Sequence, residues 1–276
     1  MDDQQARALG LALLDASRIY GGFVIPSREG FWRSRPFPPH RRAIIGLVGR
    51  QRRFLSAAYT LADAGLVMEA LGPLRSMYEF LICQRWLARD PERNWKLWME
   101  ADHKRRDYWR AQLQQNAPAL HDAAVDALTP EQRQEGEAVA VARQRLSAEI
   151  GDRLPDDRFS ILQWATQVGM SFVYDTVYRY QSSVLHPSMF AVDLLLEPHR
   201  DGVRLLGEPS TQFAVPSIYL DAALLLRDAL QGSGDMTPAL RLNNLPAIGA
   251  ELHALAERTT SARVPNWRDF LAEAMS

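Results

Sequence analysis

The stretch GPLRSMYEFLICQRWLA, residues 72–88, decides the fold class. Its apolar side chains recur around most of a helical circumference, which marks a helix buried on several sides. Pro73 suits a first helical turn, where a missing N–H is harmless, and places the helix at about 73–89. Within the apolar run stand Arg75 and Glu79, one turn apart. Burying charge is costly unless the group is paired and hydrogen-bonded, and an apolar replacement is often no worse for stability. The pair is therefore either a structural ion pair or one kept for chemistry.

Outward from this segment, helical periodicity dominates. It predicts helices at about 3–20, 41–64, 91–115, 118–128 and 130–150, the last polar nearly all round. Further helices are expected at about 157–169, ended by Gly169, and at about 170–186, 215–230, 238–257 and 265–274. Residues 21–42 form a loop of glycine, proline and aromatics. The segment EPHRDGVRLLGEP, residues 197–209, is the one hairpin candidate, with Asp201-Gly202 at its turn. No repeat and no low-complexity tract interrupts the pattern. The expected fold is mainly α: a single helical-bundle domain over 1–276 with one small β-hairpin near 197–209. Its core covers about 40–230, the terminal helices pack upon it, and a weak boundary falls near Gly151.

Bulk composition narrows the class. At 276 residues and 31.2 kDa, with 47% hydrophobic and 24% charged residues, the chain has the make-up of an ordinary globular protein. A net charge of −1 supplies no global field toward nucleic acid or anionic membrane, so any such attraction must be local. Lysine occurs only at Lys96 and Lys104, so the arginine content reflects a compositional bias and carries no functional weight alone. The single cysteine, Cys83, excludes a disulfide framework and a multi-cysteine zinc site. The opening MDDQQARALGLALLDASRIY reads as an amphipathic helix and not a signal peptide. Nowhere do eighteen apolar residues run together, so a cytoplasmic protein without a membrane partner is expected.

The helix at 170–186 carries the second oddity, VYRYQSSVLHPS at 177–188. Asp175, Arg179, Ser182 and His186 are spaced by four, three and four, which on an α-helix makes one polar stripe. Pro187 sets His186 at the helix end, where the C-terminal dipole favours a cationic ring. A third feature is the acid-free interval between Glu29 and Asp63, which holds Arg33, Arg35, Arg41, Arg42, Arg50, Arg52 and Arg53 among Phe31, Trp32, Phe37 and Phe54. Guanidinium contacts interleaved with aromatic stacking are what single-stranded nucleic acid requires, with Arg50 and Arg53 as the expected contacts. Glu100-x-x-His103 has the spacing of half a carboxylate-bridged iron site, but the second half is missing. No P-loop, dinucleotide fingerprint or G-x-S-x-G occurs, so neither metal nor cofactor is expected. Trp86, Trp95, Trp98 and Trp109 read as core and interface residues.

RSMYE at 75–79, followed by YDTVYRYQSSVLHP at 174–187, resembles an uncharacterised bacterial helical family, domain-of-unknown-function family 5677, over about 40–230. The spacing of Arg179 and His186 also resembles the R-x6-H signature of HEPN-type ribonucleases, with Tyr180 standing where that signature carries a small polar residue. Those proteins are all-helical and usually dimeric, belong to toxin–antitoxin and phage-defence systems, and cut RNA without metal. The resemblance implies RNA as substrate, a homodimer and a small antitoxin or defence protein as partners. It makes His186 the proton carrier and Arg179 the cation on the phosphorane-like charge, with Arg75 as a second. Glu79 then orients an arginine or the imidazole, while Tyr174, Tyr178, Ser182 and Ser183 bond phosphate or sugar. The competing reading is a non-catalytic helical interaction module with a polar pocket for a small ligand or partner peptide, so enzymatic status stays open. Either way, two apolar helices with one polar stripe each should turn those stripes together. Arg75 and Glu79 are thus expected to face Arg179 and His186, in one cluster lined by Tyr174, Tyr178 or Ser182.

Overall fold

Helix follows helix along the computed structural model, which describes residues 2–18, 20, 39–131, 133–134, 137, 140–141, 144–145, 148, 160–185, 196–199, 202–205 and 218–274. The elements are α1 (Asp2–Ala16), α2 (Pro39–Asp63), α3 (Val67–Arg89), α4 (Pro91–Asn116), α5 (Pro118–Asp126) and α6 (Ile161–Gln167). The motif helix α7 runs from Ser171 to Leu185, with a π-helical turn at Tyr174–Tyr178 between two α-helical pieces. Then come β1 (Leu196–His199), β2 (Gly202–Leu205), α8 (Ile218–Met236), a 3-10 turn (Pro238–Leu240) and α9 (Leu245–Ala274). The chain divides into two compact units, 1–88 with 164–276, and 89–163.

The first unit is organised by α3 and α8, both buried on several sides. Leu71, Leu74, Met77, Leu81, Ile82, Trp86 and Leu87 of α3 are in the core. α8 alternates Leu225, Leu226 and Leu230 with Ala222, Ala223 and Ala229, and packs against α1, α2 and α9. Small residues let helices approach closely, and Gly10 of α1 shows how closely. A Cβ there would fall within the hydroxyl of Tyr59, whose O–H donates to the carbonyl of Tyr219 at 2.9 Å. At the far end of α2, Asp63 takes Arg7 in a fork of 2.9 and 2.7 Å and the Tyr219 hydroxyl at 2.8 Å. These bonds from Arg7 first, then Tyr219, pull the Asp63 carboxyl below its ordinary value.

Two glycines end helices by the same device. Gly65 (φ +78°) follows α2 and Gly169 (φ +72°) follows α6, each in the left-handed conformation that a side chain disfavours. At the first, Leu66 N–H bonds the Leu61 carbonyl and Gly65 N–H the Ala62 carbonyl; at the second, Met170 bonds Ala165 and Gly169 bonds Thr166. Both are Schellman closures. In the second unit, Pro91 begins α4 behind Asp90, whose side chain accepts from Arg93 N–H. Asn94, Leu97 and Glu100 are buried, and beyond residue 103 most of α4 is exposed. Every described residue between 130 and 148 is helical and exposed, as the polar periodicity predicts.

The structure corrects several expectations. The fold is a mainly α bundle without a β layer. In place of a hairpin across 197–209 turning at Asp201-Gly202, the described residues give a ribbon of two four-residue strands. His199 is paired with Gly202, so Gly202 belongs to β2. Residues 206–209 lie outside the described residues. A two-stranded ribbon is marginal alone, and Pro198 within it lacks an N–H to donate. α3 begins at Val67, because the Gly65 closure frees the chain to restart at once, which leaves Pro73 inside the helix. α9 continues through Pro265 where two helices were expected. The predicted loop falls mostly on residues 21–38, which with Gly151 lie outside the described residues. Among the described residues no helix is long and apolar enough to cross a membrane.

Candidate functional site

Arg75 and Glu79 sit on the face of α3 that receives α7. The Arg75 guanidinium donates from Nε to Ser182 Oγ at 3.0 Å and from Nη2 to the Tyr178 hydroxyl at 2.5 Å. Tyr178 passes its own proton onward, donating to Glu79 Oε1 at 2.7 Å, and Glu79 Oε1 stands 3.2 Å from Arg75 Nη2. Tyr178 is thus a hub between cation and anion. Burial first, then the bond to Glu79, pushes its phenol up to about 12, so it stays a neutral donor at physiological pH. The arginine and glutamate side chains are 26% and 28% exposed, so the pair lies at the rim of the core and is neither sealed nor fully solvated.

Aromatic stacking extends the cluster. The Arg75 guanidinium carbon lies 4.6 Å from the centroid of Tyr178, which stacks on Tyr174 at 4.7 Å and 19°. Arg179 lies 5.7 Å from the centroid of Tyr174 and pairs with Asp175 at 3.2 Å. Two guanidinium groups therefore flank one tyrosine stack. Ser183 turns away and donates to the carbonyl of Tyr180 at 2.7 Å.

A π turn interrupts the polar stripe of α7. Arg179 N–H bonds the carbonyl of Tyr174, five residues back, so one extra residue enters the helix and the phase slips. Thr176 helps by donating its hydroxyl to the Phe172 carbonyl at 2.6 Å. Tyr178, Gln181 and Ser182 face inward, whereas Asp175 and Arg179 are exposed. Gln181 is fully buried, and neither of its amide atoms has a partner among the described residues. π turns recur at functional sites in helices.

Of the sequence-predicted residues, the structure brings together Arg75, Glu79, Tyr178 and Ser182, with Tyr174 and Arg179 adjoining. His186 follows Leu185, the last described residue of α7, and lies outside the described residues. Arg50 is placed elsewhere, on α2, over Phe54 at 5.0 Å and Phe80 at 5.9 Å, and Arg53 is exposed on the same helix. Arg52 turns to the Leu14 carbonyl in the last turn of α1, and Arg33 and Arg35 lie outside the described residues. Among the described residues no group of three or more potential metal ligands forms a cluster.

Sequence reasoning missed two exposed aromatic sites. Phe172, at the start of α7, is 77% exposed. Trp109 is 64% exposed and lies edge-to-face against Tyr108 at 5.6 Å, so it is not a core residue. The signal was present in KRRDYWR, residues 104–110, where bases and rings crowd one polar helix. Trp86 does lie in the core, stacked on Trp164 at 4.9 Å with its N–H on Gln167.

No curated protein and no solved structure matches the chain. A family model does, across residues 41–203, a span that holds both α3 and α7. The protein belongs to the DUF5677 family, a family of unknown function.

Proposed function

We propose that this protein binds RNA and cleaves it without a metal, using the α7 face beside Arg75. The observation that carries this reading is the bracketed tyrosine stack on α7, with Arg75 on Tyr178 and Arg179 on Tyr174. A phosphodiester at a guanidinium on either side of the stack receives charge-assisted bonds, and these strengthen as negative charge builds on phosphorus. The attacking 2′-oxygen forms a bond to phosphorus while the bond to the 5′-oxygen breaks. The proton leaving the 2′-hydroxyl ends on the departing 5′-oxygen, and His186 carries it. Phe172, exposed at the start of α7, offers a ring face for a base.

One observation favours the non-catalytic alternative, a helical interaction module. Both arginines already hold a carboxylate, Glu79 and Asp175, each at 3.2 Å. Such pairing lowers the positive potential that a phosphate would meet. The deciding experiment incubates the pure protein with total RNA and with a labelled oligonucleotide, in excess chelator. The cleavage reading expects cutting that survives chelator and disappears in His186→Ala and in Arg179→Ala, with circular dichroism unchanged. Chelator-sensitive cutting, or full activity in His186→Ala, overturns it. RNA bound but uncut by the parent protein leaves the interaction module.

A further inference from the structure

On the opposite side of α3 from the arginine cluster, a cavity of about 460 Å³ opens between α3, α8 and α9. Its polar lining is Gln84 and Arg85 from α3, Arg227, Asp228 and Asp235 from α8, and His253 from α9. Leu81, Ala88 and the bare backbone of Gly232 supply the apolar floor.

Gln84 shows that this cavity is built for a guest. Its side chain is 2% exposed, and its amide is held in one orientation because Nε2 donates to the Ala229 carbonyl at 2.7 Å. That orientation leaves Oε1 as a buried acceptor with no partner among the described residues. A buried acceptor left unmade is expensive, so the site calls for a donor from outside the chain.

The charges around it are balanced but unequally used. Asp228 is shared by two guanidinium groups, Arg85 on Oδ2 at 2.8 Å and Arg227 near Oδ1 at 3.1 Å. Each arginine has five donors and spends few of them here; Arg227 adds a contact to the His253 ring at 3.3 Å. One side of the cavity therefore has donors to spare. On the other, among the described residues Asp235 takes only the Gln231 amide at 2.9 Å, so its carboxylate has acceptor capacity left. Two arginines and two aspartates leave no net charge to attract a simple ion.

We propose that the cavity binds a small zwitterion of the amino-acid type. Its carboxylate takes Arg85 and Arg227, its ammonium takes Gln84 Oε1 and Asp235, and its side chain lies over Leu81 and Ala88. A bare phosphate would meet the two aspartates, and a diamine would meet the two arginines. A volume of about 460 Å³ holds a free amino acid and its hydration. This inference is independent of the RNA reading and of the α7 face.

The test is thermal denaturation of the full chain with each of the common amino acids in turn, and with inorganic phosphate and a diamine as comparators. At about ten times its Kd, a binding amino acid should raise Tm by about 3–6 °C. The shift should vanish in Gly232→Leu, which fills the cavity. It should weaken in Asp235→Asn, an exposed position where folding is not at risk, with affinity falling on the order of tenfold. No shift with any amino acid overturns the proposal. So does an equal shift with phosphate or the diamine, or a shift that Asp235→Asn leaves intact.

Discussion

Tyr178→Phe removes one oxygen from the centre of the arginine cluster and leaves the ring, its stacking on Tyr174 and the core volume unchanged. Two hydrogen bonds disappear, the acceptor for Arg75 at 2.5 Å and the donor to Glu79 at 2.7 Å. Bonds to charged groups are worth about 1.5–3 kcal/mol each. Both partners are roughly a quarter exposed, and Glu79 can close the 3.2 Å gap to Arg75 directly, so solvent and rearrangement recover much of the loss. The expected net cost is about 1–3 kcal/mol, read as a fall in the urea midpoint with an unchanged m-value. The sign with pH is definite. The folded phenol titrates at about 12, above its usual value of about 10, so its contribution is complete below pH 10 and fades toward pH 12. The gap between parent and variant should therefore narrow across that window. A double-mutant cycle with Glu79→Gln should give a coupling of about 1 kcal/mol. Parent and Tyr178→Phe unfolding within about 0.3 kcal/mol of each other, with no coupling, would show that the hub holds nothing together.

Two other outcomes follow from packing and charge. Gly10→Ala drives a methyl group into Tyr59 and should cost about 1–3 kcal/mol by thermal or urea unfolding; an unchanged midpoint would mean that α1 and α2 are not in close contact. Replacing Arg50 and Arg53 by Gln should leave stability within about 0.5 kcal/mol, since both are exposed. If those residues touch RNA, the salt slope of binding should fall by about 0.7 for each lost contact, and an unaltered slope removes them from the interface.

The helical architecture was legible because α3 and α8 repeat apolar residues at a spacing that only helices bury. Gly169 was legible as a helix stop because a single physical requirement, a positive φ, selects glycine there. Arg75 and Glu79 were traced to α7 by cost alone: charge inside an apolar helix must meet a partner, and α7 offered the polar face. What sequence spacing missed is instructive in the same way. Counting at 3.6 residues per turn put Asp175 and Ser182 in one stripe, but a π turn shifts the phase between them, and Ser182 meets Arg75 while Asp175 is exposed. Trp109 was assigned by its type, although its neighbours Lys104, Arg105, Arg106 and Arg110 already described a helix leaving the core. Of the turn expected at Asp201-Gly202, Gly202 belongs instead to β2, where it pairs with His199.

The π turn also makes α7 sensitive to length in a way that no substitution reproduces. Removing one residue between Tyr174 and Tyr178 restores an unbroken α-helix, draws everything beyond it about 1.5 Å back along the axis and rotates it by about 100°. Ser182 would swing off Arg75 while the residues before the turn kept their places. The extra residue acts as a vernier, setting the angle between a helix start anchored by the Gly169 closure and a helix end that delivers Ser182 to α3. Two halves of one helix are thereby aimed separately. Insertion and deletion, more than point change, are the alterations to which this site is exposed.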